Sequence, residues 1–124
     1  MNTSCAVNKY ACRRRIAGLN GRNCNVLLTH FDQINEIIKD VLPLGPSSIV
    51  LFGSCARSED SWKSDVDVLV VGDDLTLDQA LPVLGKWADI ADVVFSQEDT
   101  YKESRQLFYR DIRNEGIVLW QKKK

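Results

Sequence analysis

Apolar residues recur along the chain with two different periods, and the changes of period mark its elements. From Thr29, the residues Phe31, Ile34, Ile38 and Val41 repeat at helical spacing, with Asp32, Asn35, Glu36 and Lys39 on the other side. Thr29 with Asp32 three residues on is a helix start signal, and Pro43, Gly45 and Pro46 stop the helix. Ser48 to Phe52 is a short continuous apolar run, as expected of a strand covered on both faces. Val66 to Val71 is a second strand, closed by Gly72-Asp73-Asp74. Thr76 with Gln79 opens another helix, whose apolar side reads Leu77, Ala80, Leu81, Leu84 and Trp87. Pro82 inside it predicts a bend or a shifted start. Ala91 to Phe95 is a third strand, with Ala91, Val93 and Phe95 facing one way and Asp92 and Val94 the other. Ser96 with Asp99 begins a last helix that runs to about Glu115, with Tyr101, Leu107, Phe108 and Ile112 as its apolar positions. Gly116 ends that helix and Ile117 to Trp120 is a short final strand. Helices and strands in this order predict an α/β domain built on a mixed sheet with flanking helices.

Residues 1 to about 25 show neither period, and Gly18 and Gly21 interrupt any helix. They read as a poorly ordered or loosely docked extension (1–25) to one domain over 26–121, with Lys122, Lys123 and Lys124 as a basic tail. His30 is expected at the surface or in a capping role, and Trp87 in the core. With 16 basic and 17 acidic residues the formal net charge is −1, so no overall field points to nucleic acid or to a membrane surface. No apolar run approaches the roughly 20 residues of a membrane span. Arg13, Arg14 and Arg15 lead into no apolar segment, so a secretory signal is not expected and a cytoplasmic location is the default. Cys5, Cys12, Cys24 and Cys55 lack the close pairing of a zinc site and read as free thiols. Self-association stays open.

The chemistry concentrates between Leu51 and Val71. The first strand stops abruptly at Gly53-Ser54, a polar stretch with Arg57, Glu59, Asp60, Lys63 and Ser64 follows, and Asp65 and Asp67 open the second strand. Residues two apart on a strand share a face, so Asp65 and Asp67 project together while Val66, Val68 and Val70 point the other way. Two carboxylates so close repel each other and lose hydration, an arrangement that a divalent cation relieves. Gly53-Ser54 at a strand end offers backbone N–H groups and a hydroxyl suited to phosphate. Together these features suggest a metal-nucleotide site.

Gly53-Ser54-Cys55-Ala56-Arg57 and Ser64-Asp65-Val66-Asp67, with ten residues between Ser54 and Asp65, resemble the nucleotidyltransferase superfamily and specifically its minimal, MNT-type proteins. Their signature is Gly-Ser, ten residues, then Asp-x-Asp. Ser58 departs from it, standing where the family usually has glycine. The resemblance covers about residues 30 to 121, including the closing Asn-Glu-Gly-Ile-Val-Leu-Trp, and implies the nucleotidyltransferase fold. It also implies a third carboxylate from a neighbouring strand, for which Asp92 is the better candidate and Asp89 the runner-up.

On that reading Asp65 and Asp67 bind two magnesium ions, and Asp92 completes the second metal and takes the proton of the attacking hydroxyl. Gly53 and Ser54 hold the phosphates of ATP, while Arg57 either reaches phosphate or pairs with a carboxylate. Ser64 flanks the site and either orders the turn or contacts the nucleotide. Trp62 and Trp87 are potential stacking partners for a base, although Trp87 fits the core better. Small stand-alone relatives often pair with a helical HEPN protein as toxin–antitoxin systems, which implies transfer of AMP from ATP to a tyrosine of that toxin. Three other readings stay open: a catalytic subunit modifying a small molecule beside a separate helical partner, an antitoxin acting by occlusion without catalysis, and a structural module.

Overall fold

The computed structural model describes residues 13–17, 23–57, 59, 61 and 64–122. Its first regular structure departs from expectation. Strands β1 (Arg13–Ala17) and β2 (Asn23–Leu27) pair antiparallel as a two-stranded sheet, although these residues carry no strand period. The rest of the region expected to be loosely ordered, residues 1–12 and 18–22, lies outside the described residues.

Helix α1 (Leu28–Val41) buries Ile34, Ile37 and Val41, with Phe31 and Ile38 packed at the margin. His30 stands four residues before Ile34 on the same stripe and is only 3% exposed, so it belongs to the interior and not to the surface. A 3₁₀ turn (Leu42–Leu44) ends the helix. Gly45, at φ 77°, donates its N–H to the Leu42 carbonyl at 3.1 Å there.

Four further strands build the main sheet. These are β3 (Ser48–Phe52), β4 (Val66–Val71), β5 (Ala91–Ser96) and β6 (Ile117–Gln121), in the spatial order β5-β4-β3-β6. β3 is antiparallel to β4 and to β6, whereas β4 and β5 are parallel, so the sheet is mixed as the element order predicts. Ile49, Val50 and Leu51 are all buried because both faces are covered. On one face, Ile49, Leu51, Val66, Val68, Val70 and Val93 pack against α1 and α3 (Leu77–Trp87). On the other, Val50, Leu69 and Val71 meet Ile112 of α5 (Leu107–Glu115), with Tyr101 of α4 (Glu98–Glu103) beside them.

Helix α3 has the expected capping box, with the Gln79 N–H donating to Thr76 Oγ1 and the Thr76 N–H to Gln79 Oε1. Pro82 lies inside the helix without moving its start. The buried stripe differs from the predicted one. Ala80, Val83 and Trp87 face the core, while Leu77 and Leu81 are 68% and 53% exposed. Trp87 is a core residue, as its helical spacing suggests, and its indole donates to Asp40 Oδ2 at 2.8 Å.

The long last helix divides into α4 and α5. Ser96 belongs to β5, and α4 starts at Glu98, whose N–H is accepted by Asp73 Oδ1 at 3.0 Å. The break is held by Arg113, which donates to the carbonyls of Tyr101 (2.6 Å) and Ser104 (2.7 Å). Those carbonyls at the end of α4 would otherwise lack partners.

Candidate functional site

At the end of β3 the extended Phe52 gives way to Gly53, which turns the chain at φ 75° into the short helix α2 (Gly53–Ala56). Only glycine takes that backbone conformation without strain. A side chain at Gly53 would also displace a neighbour. Its Cβ would run into the Asp67 carboxylate, 3.1 Å from Cγ. The Gly-Ser corner and the second aspartate of the pair are therefore in direct apposition.

Strand register extends that apposition into a row. Phe52 is opposite Asp67 across the antiparallel β3–β4 pair, and Asp67 is beside Asp92 across the parallel β4–β5 pair. Directly opposed residues share a face, so Phe52, Asp67 and Asp92 line up across three strands. Asp65 lies just ahead of β4 and is exposed, as is Asp92, while Asp67 is half-buried. The Cys55 thiol, fully buried, makes a weak 3.9 Å hydrogen bond to the Asp65 carbonyl and ties the corner to the start of the aspartate strand.

The electrostatics follow from this crowding. The Asp67 carboxyl is pushed up to about 6, first by loss of hydration and then by the negative charges of Asp92 and Asp65, with Arg57 pulling the other way. Asp89 sits in the turn before β5 and is not among the charges that act on Asp67. Among the described residues, no three His, Cys, Asp or Glu side chains are gathered into a ready-made metal cage. The donors present are nevertheless hard carboxylate oxygens, one of them with a raised proton affinity that a cation would replace, and magnesium commonly binds one or two carboxylates together with water and phosphate oxygens.

The remaining predicted residues have partners of their own. Arg57 donates to Glu59 Oε1 at 2.7 Å and to Glu115 Oε2 at 3.4 Å, so its guanidinium is engaged by carboxylates. The Ser64 hydroxyl accepts from the Ser61 N–H at 3.0 Å and the Ser64 N–H donates to the Ser61 carbonyl at 2.9 Å, so Ser64 orders the turn. The Ser54 carbonyl accepts from the Glu59 N–H at 2.9 Å, while its side chain is half-buried beside the corner. Ser58, Asp60, Trp62 and Lys63 lie outside the described residues.

The sequence reading missed an aromatic element beside the corner. Phe108 of α5 packs edge-on against Phe52 with ring centroids 5.5 Å apart, and a cleft of about 160 Å³ opens there between Gly53 and α5. Helical periodicity assigns Phe108 to the core, and only its 42% exposure distinguishes it. A larger cavity, about 420 Å³, lies at the far end of β4 around Gly72, Asp73 and Tyr101, away from the aspartates.

Comparison with known proteins agrees with this architecture. Residues 32–124 match the family described as polymerase beta, nucleotidyltransferase. The chain is 34% identical over 76 residues to a provisionally named protein adenylyltransferase of Methanocaldococcus jannaschii, covering 58% of this chain and 76% of that protein. Its fold is similar to a crystal structure of a provisionally named nucleotidyltransferase from Sulfolobus solfataricus, with a TM-score of 0.56 at 16% identity over 78% of this chain and 85% of that one. It is also similar to a crystal structure of a toxin–antitoxin with AMP-PNP, with a TM-score of 0.53 at 24% identity over 72% and 73% of the two chains.

Proposed function

Since the chain belongs to the polymerase beta nucleotidyltransferase family, we propose that it transfers AMP from ATP to a hydroxyl acceptor, a tyrosine on a HEPN-type helical toxin, and so acts as an antitoxin. The observation that carries this reading is the row formed by Asp67 and Asp92 in register, with Gly53 against Asp67. The name of the Methanocaldococcus jannaschii relative supports protein adenylylation. The toxin–antitoxin likeness supports a toxin as partner, and the AMP-PNP in that structure supports a nucleotide substrate.

Asp65 and Asp67 would hold magnesium, with Asp92 as the third ligand. When bound, the metal supplies positive charge to the phosphate oxygens and lowers the cost of charge developing on them. The protein's own residues do the positioning. Gly53 lets the backbone approach the site closely, and its neighbouring amides with the Ser54 hydroxyl hold the outer phosphates. Asp92, exposed at its strand position, accepts the proton of the attacking hydroxyl directly or through water. The acceptor oxygen bonds to the α-phosphorus, the bond to the bridging oxygen breaks, and pyrophosphate leaves. Arg57, paired with Glu59 and Glu115, braces the corner.

The test is to incubate the protein with α-labelled ATP, magnesium and the co-expressed product of the adjacent reading frame. Label on that product, lost in Asp65→Asn and Asp67→Asn, is the expected result. Neutralisation of a toxin that survives both substitutions would show occlusion instead, and label on a small molecule would move the chain to the small-molecule class.

A further inference from the structure

The cleft beside Gly53 has no role in the transfer step as described. It is lined by Phe52, Gly53, Phe108 and Ile112, with Arg57, Asp111 and Glu115 at its polar side. Resting on the nucleotidyl-transfer reading above, we propose that this cleft seats the base of the nucleotide, with Phe108 as the stacking platform.

Three observations support this. The cleft is lined by Phe52, which stands opposite Asp67 in the β3–β4 pair, so it opens on the sheet face that carries the aspartates. At about 160 Å³ it is smaller than the roughly 300–1,000 Å³ of a pocket enclosing a whole ligand, and so has room for one ring system. Its chemistry is also divided as a base requires. Phe52, Phe108 and Ile112 present apolar surface to a ring face, while the exposed Asp111 presents acceptors to a ring edge and Glu115, one helical turn on, is held by Arg57. Phe108 is anchored edge-on between Phe52 (5.5 Å, 84°) and Tyr109 (5.1 Å, 85°), yet keeps 42% of its surface exposed. A rigidly held ring with an open side is what stacking needs. Acceptors at the edge favour bases with an exocyclic amine, so adenine, guanine and cytosine should bind better than uracil.

The experiment compares binding of α,β-methylene-ATP and of inorganic tripolyphosphate, both with magnesium, to wild type and Phe108→Ala. Loss of stacking should weaken the nucleotide by about tenfold and leave tripolyphosphate unchanged. Phe108→Tyr should restore nucleotide affinity, and Asp111→Asn should narrow the preference for the ATP analogue over its UTP counterpart. Nucleotide binding that is indifferent to Phe108→Ala, or a Phe108→Ala protein that loses both ligands equally, overturns the base seat alone. A wild-type protein that binds neither ligand overturns the nucleotidyl-transfer reading and the base seat with it.

Discussion

Gly53 and Asp67 lie so close that a Cβ on the first would force the carboxylate of the second aside. Two penalties therefore meet in Gly53→Ala: a left-handed backbone, worth about 1–2 kcal/mol for a non-glycine residue, and the clash with the carboxylate. We expect a total loss of about 2–3 kcal/mol in urea unfolding. Adding Asp67→Ala removes the clash but not the backbone strain. A double-mutant cycle should thus return a coupling of about 1 kcal/mol, and strictly additive losses would refute the contact.

The Asp67 carboxyl, raised to about 6, gives the metal-free protein an inverted acid response. Between about pH 4 and pH 6 the native side chain keeps a proton that the unfolded chain has already lost, so each rise in pH through this window favours unfolding. The full shift corresponds to at most about 3 kcal/mol, which screening at a half-buried site reduces to about 1 kcal/mol. Asp67→Asn should raise the urea midpoint at pH 7, flatten this part of the pH profile, and abolish transfer. A midpoint at pH 7 lower than that of wild type would contradict this account.

Arg113 tests the division of the last helix. Its guanidinium holds two carbonyls from different nitrogens. Arg113→Ala should cost about 2 kcal/mol, as charge-assisted bonds to partly buried groups do. Arg113→Lys should recover less than half, because an ammonium lacks the planar fork. Hydrogen exchange should report the loss in the α4 amides first; an unchanged α4 would mean that the helix break has another cause.

Asp40 joins α1 to α3 by accepting from the Trp87 indole at 2.8 Å and from Lys86 at 2.9 Å. The Lys86 hydrogen bond is the largest cause and holds its carboxyl below the ordinary value; desolvation opposes it, and the Trp87 indole and the Lys86 charge add smaller lowering effects. Its contribution is therefore present above the unfolded carboxylate pKa of about 3.9 and is lost as pH falls through the native value. Trp87→Phe should cost about 1–2 kcal/mol by removing the donor and some packing. Asp40→Asn should leave the Trp87 contact in place and remove the acid-range response, which a fluorescence-monitored acid titration would show.

Part of this molecule was legible in the residue order because its causes are local. The β3 and β4 spans and the Thr76–Gln79 cap follow from periods of two and 3.6 and from capping chemistry, which neighbouring residues settle among themselves. The glycine at the corner was legible too, since no other residue turns freely there.

Tertiary structure decided the choices among locally equal alternatives. Leu77 and Leu81 fit the apolar stripe of Ala80, Leu84 and Trp87 as well as Val83 does, and only the position of the sheet buries Val83 and leaves the two leucines exposed. His30 became interior because α1 turned that stripe inward, and the last helix divided where Arg113 of α5 captured the carbonyls that end α4, while Asp73, 25 residues away, caps the start of α4 at Glu98. The parallel register that brings Asp92 beside Asp67 likewise depends on how α3 returns the chain to the sheet, a long-range closure that no local period encodes. Sequence supplied the carboxylates and the corner; packing decided which of them meet.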